Sequence, residues 1–266
     1  MTRTSAVSLA PRIEAELRLR GDPERAWGAK RYLKSELVFL GVDTRALRET
    51  VKGVLREHAP FDRSHVLALV KNLWPRGIFE LRGVAVEVLK ARSSLLGAGD
   101  MKLIERLLRD SHTWALVDFL AIQVAGPLVV RFPELAATLD RWARDEDFWV
   151  RRAAMLALLP PLRRGTGDFE RFSRFADGML EEKEFFIRKA IGWVLRETGK
   201  KRPCLVDAWL APRTQRASGV TVREAVRYLP AARRDALLAA YRDHCAAAPG
   251  GVRAKESRLR SSERKG

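Results

Sequence analysis

The sequence predicts an all-α superhelix, a solenoid of stacked helical pairs with a basic concave face. Three observations predict it. Apolar residues recur at three- and four-residue spacing, the period of a helix with one buried face. No stretch sustains the period-two alternation of β-branched residues that a sheet needs. A short pattern returns about every 35 residues, and a period in that range means helical pairs that bury their apolar faces only by stacking.

The elements follow in chain order. Residues 1–10 read as a flexible N-terminus and 11–247 as one helical-repeat domain. Val66–Trp74, Leu81–Ala91, Leu103–Leu108 and Ala153–Leu159 each carry the helical spacing. They are rich in Ala, Leu, Arg and Glu, which cost little backbone or rotamer freedom in a helix. Phe119–Val130 is an apolar stretch of 12 residues that contains Gln123 and is flanked by Asp118 and Arg131. A membrane span needs about 20 apolar residues, so this stretch is expected to be a buried helix. Leu162–Asp168 is expected to be a short loop, too brief to separate two domains. Residues 248–266 hold six Lys/Arg, two Glu and almost no large apolar side chain, and are expected to be a disordered basic tail.

Charge narrows the partners. The chain has 50 Lys+Arg against 33 Asp+Glu, a formal net charge of +17. The tail accounts for +4, so the folded body keeps +13. Such an excess attracts polyanions. Two cysteines, Cys204 and Cys245, exclude a disulfide scaffold. With four scattered histidines they also lack the spacing of a structural metal site, so no metal and no cofactor is expected. The N-terminal stretch shows no apolar signal-peptide run. A reduced, cytoplasmic, nucleic-acid-associated monomer without a membrane segment is the expectation.

The repeat organises the polar residues. Five windows align: FELRGVAVEVL from Phe79, WALVDFLAIQV from Trp114, FWVRRAAMLAL from Phe148, FFIRKAIGWVL from Phe185 and VTVREAVRYLP from Val220. Their fifth positions are Gly83, Asp118, Arg152, Lys189 and Glu224, separated by 35, 34, 37 and 35 residues. Stacked repeats of this kind are HEAT-like, and equivalent positions then share one surface. The alternative is an unrepeated bundle with chance similarity. Trp114 lies one turn before Asp118, and Trp193 one turn after Lys189, on the same helix faces. The histidines lie outside the row, so no nucleophilic triad is arguable. A carboxylate stabilises an oxocarbenium-like centre and orients water. Aromatic faces attract cations, and Arg forks bind phosphate. The set is compatible with hydrolysis of an N-glycosidic bond to a cationic base. Equally, Trp193 could be a core indole and Asp118 a helix N-terminal charge.

A resemblance adds to this. KEFFIRKAIGWVLRE (Lys183–Glu197) resembles the signature of the AlkD-like DNA alkylation repair glycosylases. RYLKSELVFLGV (Arg31–Val42), NLWPRGIFELRGVAVEVL (Asn72–Leu89), SHTWALVD (Ser111–Asp118), DFWVRRAAML (Asp147–Leu156) and REAVRYL (Arg223–Leu229) match in the same order. The resemblance spans about residues 25–229. It implies a HEAT-like helical glycosylase that excises N3- and N7-alkylpurines from duplex DNA without drawing the base into a pocket, unlike base-flipping enzymes. Carried over by position, it implies Asp118 as the catalytic carboxylate. It implies Trp114 and Trp193 against the lesion nucleotide, Arg152 facing phosphate and Tyr32 near the backbone. Arg151, Arg188, Lys189, Lys30 and Lys34 are the further cations expected on phosphates. The family's Trp-Trp-Asp reads Thr113-Trp114-Ala115 here. Two other classes stay open: a noncatalytic HEAT-repeat protein that binds damaged or distorted DNA, and a protein-interaction scaffold.

Overall fold

A computed structural model of the chain describes residues 6–247. Its elements are helical, and the extended pairing among the described residues is one parallel bridge, Val38 to Ile78. The chain forms two compact units that divide between Ala157 and Leu158, just ahead of the Leu162–Asp168 segment. The boundary between the units has no linker composition, and the sequence does not mark it.

The first unit contains α1 (Ala6–Leu19), α2 (Pro23–Leu33), α3 (Thr44–Glu57), α4 (Arg63–Leu73) and α5 (Phe79–Ala91). It continues with α6 (Met101–Arg109), α7 (Trp114–Leu120), α8 (Gly126–Arg131), α9 (Ala136–Trp142) and α10 (Phe148–Ala157). Helices α3, α5, α7 and α10 pack in succession, each against the next. Helix α4 packs on α5, α6 on α7 and α10, and α9 on α10. The second unit contains α11 (Leu159–Arg163), α12 (Phe169–Met179), α13 (Phe185–Gly199), α14 (Pro203–Leu210), α15 (Gly219–Ala225) and α16 (Ala231–Ala247). Here α13 is central and packs on α11, α12, α14 and α15.

The expected helices form with ends moved by a few residues, except that Ala153–Leu159 is interrupted: α10 stops at Ala157 and Leu159 opens α11. Four windows open on the first residue of a helix (Phe79, Trp114, Phe148 and Phe185), and the fifth starts at Val220, one residue into α15. The N-terminus differs: Ala6–Ala10 belong to α1, where Leu9 and Ala10 are buried. The tail, 248–266, lies outside the described residues.

Local chemistry sets many helix starts. Asp22, Asp43, Asp62 and Asp168 each accept a backbone N–H from the residue three positions on, satisfying a donor that the first turn leaves unpaired. Apolar periodicity then sets the burial. Val84, Ala85, Val88 and Leu89 in α5, and Ala190, Ile191, Val194 and Leu195 in α13, have no exposed surface.

The run from Trp114 to Arg131 is an 18-residue apolar helical stretch, long enough by length and composition to cross a membrane, and half of it is buried within the protein. It is longer than the 12 apolar residues suggest, because Trp114–Val117, Asp118 and Arg131 are helical too. It widens into one π turn at Ala121–Ala125, just before Pro127, which has no N–H to offer the carbonyl four residues back.

The repeat is visible as hydrogen bonds that step from one repeat to the next. In the first unit the Trp74 indole donates to Asp110 (2.7 Å, 36 residues apart) and the Trp142 indole to Glu105 (2.9 Å, 37 apart). Arg109 donates to Asp145, also 36 residues away. In the second unit the Trp209 indole donates to Ser173 (2.7 Å, 36 apart), and Arg213 pairs with Asp177 at the same separation. These indoles bury their rings and satisfy their N–H groups, which makes them structural. Close packing needs glycine at one crossing: a Cβ on Gly192 of α13 would lie 2.8 Å from Glu224 Cβ and 3.1 Å from Thr221 Cα in α15.

Candidate active site

Helix α7 begins sharply. His112 takes a left-handed conformation (φ 47°), and extended Thr113 follows as the N-cap. Thr113 is buried, and its hydroxyl has no hydrogen-bond partner among the described residues. Trp114 is then the first helical residue, half-buried, and Asp118 follows one turn later.

The Asp118 carboxylate meets Arg152 of α10, the neighbouring helix in the stack. Arg152 Nε donates to Oδ1 at 2.7 Å and Nη2 to Oδ2 at 2.8 Å. This is a two-pronged guanidinium–carboxylate pair, and it fixes the plane of the carboxylate. The Asp118 and Arg152 side chains are 12% and 3% exposed, respectively. Burial pushes the Asp118 carboxyl above the ordinary aspartate range, and the Arg152 guanidinium opposes that without cancelling it. A carboxylate held this way is a stronger proton acceptor than one in water, while its geometry is fixed.

Tyr32, at the end of α2, sets its ring edge against Trp114, with centroids 5.8 Å apart and planes at 86°. Tyr32 is itself 73% exposed. The first unit thus links four residues of the expected set: Tyr32 to Trp114, Trp114 to Asp118 by one helical turn, and Asp118 to Arg152. Arg152, expected to face phosphate, has its fork on Asp118 and is buried.

The second unit carries the rest of the set on α13. Trp193 is half-buried, one turn after Lys189. Lys189 Nζ donates to Glu224 Oε1 at 2.5 Å, and Arg196 pairs with the same carboxylate. Burial pushes Glu224 up, but the two cations outweigh it and hold this carboxyl below its ordinary value. Arg188 donates through Nε to the Glu182 carbonyl at 2.6 Å. Arg151, in the first unit, donates to the carbonyls of Asp145 and Glu146 at 2.6 and 2.8 Å. Among the described residues there is no cluster of His, Cys, Asp or Glu able to hold a metal ion.

Sequence reasoning placed Asp118, Arg152, Lys189 and Glu224 at equivalent repeat positions but missed that Asp118 pairs with Arg152 and Lys189 with Glu224. The signal was present: Asp118 and Arg152 are opposite charges one repeat apart, as are Lys189 and Glu224. What this arrangement can do is limited and specific. It offers one buried, oriented carboxylate beside an accessible indole and phenol.

The profile of a family described as DNA alkylation repair enzyme matches residues 13–229, most of the chain. The chain belongs to that family. No curated protein matches the sequence significantly. Among solved structures, it is similar to a predicted DNA alkylation repair enzyme from Enterococcus faecalis, with a TM-score of 0.72 at 22% identity over 80% of this chain and 98% of that one. It is also similar to AlkD2 from Streptococcus mutans, with a TM-score of 0.53 at 19% identity over 70% of this chain and 91% of the other. A third, smu.31 from Streptococcus mutans UA159, gives 0.54 at 19% identity over 70% of this chain and 94% of that one. At these identities the structures speak for the helical-repeat fold. The family match carries DNA alkylation repair, and with it DNA as the partner.

Proposed function

We propose that this chain is a DNA glycosylase that hydrolyses the N-glycosidic bond of cationic N3- or N7-alkylated purines in duplex DNA. The observation that carries the reading is the Asp118 carboxylate. It is buried, oriented by Arg152 and one turn from the half-buried Trp114, in a member of the DNA alkylation repair family. An alkylated purine already bears a positive charge, so it departs without a general acid. The C1′–N bond breaks with its electron pair going to the base, which leaves neutral and leaves positive charge on the sugar. Asp118 stabilises that charge and accepts a proton from water as the water oxygen bonds C1′. Trp114 flanks the lesion nucleotide and favours the cation. Arg152 acts through Asp118 as a positioning residue. The products are the free alkylpurine and an abasic site.

The test is release of 7-methylguanine from methylated duplex, wild type beside Asp118→Asn. Release by wild type and its loss in the variant supports the reading. Equal release by both removes Asp118 from the chemistry, and no release by wild type rejects the activity. A second reading is a noncatalytic DNA-binding member of the family. It is favoured by the occupation of both Asp118 oxygens by Arg152, as in a structural ion pair. The same assay separates the two.

A further inference from the structure

Helix α7 lacks a device that its counterparts share. In three of the repeat windows the fourth residue is an arginine whose guanidinium donates to a carbonyl in the turn just before its own helix. Arg151 reaches the Asp145 and Glu146 carbonyls before α10, and Arg188 the Glu182 carbonyl before α13. Arg82 reaches the Trp74 carbonyl before α5, at 3.2 Å. The window from Trp114 has Val117 at that place, a buried side chain with no donor. The N-cap, Thr113, makes no side-chain cap bond, and His112 before it takes a left-handed conformation that a residue with a Cβ seldom adopts. Thr113–Val117 thus supply no side-chain hydrogen bond among the described residues to fix the start of α7.

The anchor comes from the repeat before. Arg82 of α5 extends beyond its own turn to the turn ahead of α7, 28 residues on. Its Nη1 donates to the Asp110 carbonyl at 2.5 Å and its Nη2 to Asp110 Oδ2 at 3.0 Å. The Trp74 indole donates to the same carboxylate oxygen at 2.7 Å, and the Arg82 guanidinium lies 4.9 Å from the centre of that indole. Arg82 is buried, so little water competes for these bonds. Asp110 follows the last residue of α6 and stands four residues before Trp114 and eight before Asp118. One guanidinium therefore ties the turn before α5 to the turn before α7.

We propose that Arg82 is a positioning residue for the Asp118 carboxylate: by holding Asp110 it sets where α7 begins, and so where Trp114 and Asp118 stand. Asp118 lies in the second turn of α7, and an axial slip or rotation at the start of a helix is carried along it by the backbone ladder. Arg152 fixes the plane of the carboxylate from α10, and Arg82 fixes the helix that bears it from α5. The kinetic consequence rests on the glycosylase reading. The structural consequence, an ordered start of α7, does not.

The test compares wild type, Arg82→Met and Arg82→Lys in three measurements: single-turnover release of 7-methylguanine with enzyme in excess, affinity for an undamaged duplex, and amide hydrogen exchange resolved by segment. Methionine keeps much of the stem and has no donor, whereas lysine keeps the charge but has one nitrogen to serve three acceptors. Arg82→Met is expected to lower the release rate of the bound complex about ten-fold or more, the scale of a misplaced reacting group, with duplex affinity unchanged. Arg82→Lys recovers part of that rate. Exchange speeds up in α7, while α3 and α9 keep wild-type protection. Should Arg82→Met fail to fold, Asp110→Ala interrupts the same contact at a side chain that is 52% exposed, and the same pattern is expected at smaller size. A folded Arg82→Met or Asp110→Ala variant that releases base at the wild-type rate overturns the proposal. Exchange that rises evenly through the first unit also overturns it, because that marks a general structural role. The two readings fail separately. No release by wild type rejects the glycosylase alone, and the hold on α7 is then judged by exchange.

Discussion

Asp118–Arg152 in the first unit and Lys189–Glu224 in the second are the same feature of the repeat in two settings. Each joins consecutive row positions of opposite charge, 34 and 35 residues apart. In the first, the side chains are 12% and 3% exposed, and among the described residues a single guanidinium faces the carboxylate. In the second, Lys189 is 41% exposed and two cations share Glu224. The carboxyl shifts consequently run in opposite directions, up for Asp118 and down for Glu224. The repeat decides which residues meet. Burial and the number of partners decide whether the meeting is a surface clasp or a chemically loaded carboxylate.

The largest expected difference is in activity. Asp118→Asn is expected to lower 7-methylguanine release by at least about 100-fold, the scale of losing a positioned base. Glu224→Gln should leave release within a few-fold of wild type. Equal losses in the two variants would erase the distinction between the pairs.

Stability should separate them next. Arg152→Ala strands a buried carboxylate and is expected to cost about 3–5 kcal/mol, read from urea unfolding. Replacing both partners with leucine should recover much of that, since an apolar pair leaves no orphaned charge. Lys189→Ala, at a half-open pair, is expected to cost under about 1 kcal/mol. A small loss from Arg152→Ala would mean that water reaches this pair, and would move Arg152 toward the phosphate-facing role that the resemblance implies.

The smallest effect is in the pH dependence of stability, where the two pairs should have opposite signs. The folded value for Asp118 lies above its ordinary 3.8, so its stabilising contribution is complete below 3.8 and fades as pH rises through the raised value. The folded value for Glu224 lies below 4.5, so its contribution is present above 4.5 and is lost as pH falls through the lowered value. Asp118→Asn and Glu224→Gln should therefore change the pH profile of the urea midpoint in opposite directions. Parallel changes would contradict the difference in burial.

Much of the helical frame was legible in the sequence. The windows from Phe79, Trp114, Phe148, Phe185 and Val220 mark helix starts, because a change from loop to helical periodicity is written in neighbouring residues. The tryptophans were less legible. Trp74, Trp142 and Trp209 are anchored by hydrogen bonds to partners 36 or 37 residues away, whereas Trp114 and Trp193 are half-buried and Trp27 is exposed. Composition treats all six alike. Their roles depend on residues one repeat distant.

By itself the sequence determined the helical class, the period near 35, the equivalent repeat positions of Asp118 and Arg152 and of Lys189 and Glu224, and the family. These follow from spacing, which is a property of the chain in one dimension. The tertiary structure alone decided the division after Ala157, the burial of Arg152 against Asp118, and the hold of Arg82 on Asp110. Those depend on which distant side chains exclude water at a given point, and water exclusion is what turns a charge pattern into an environment.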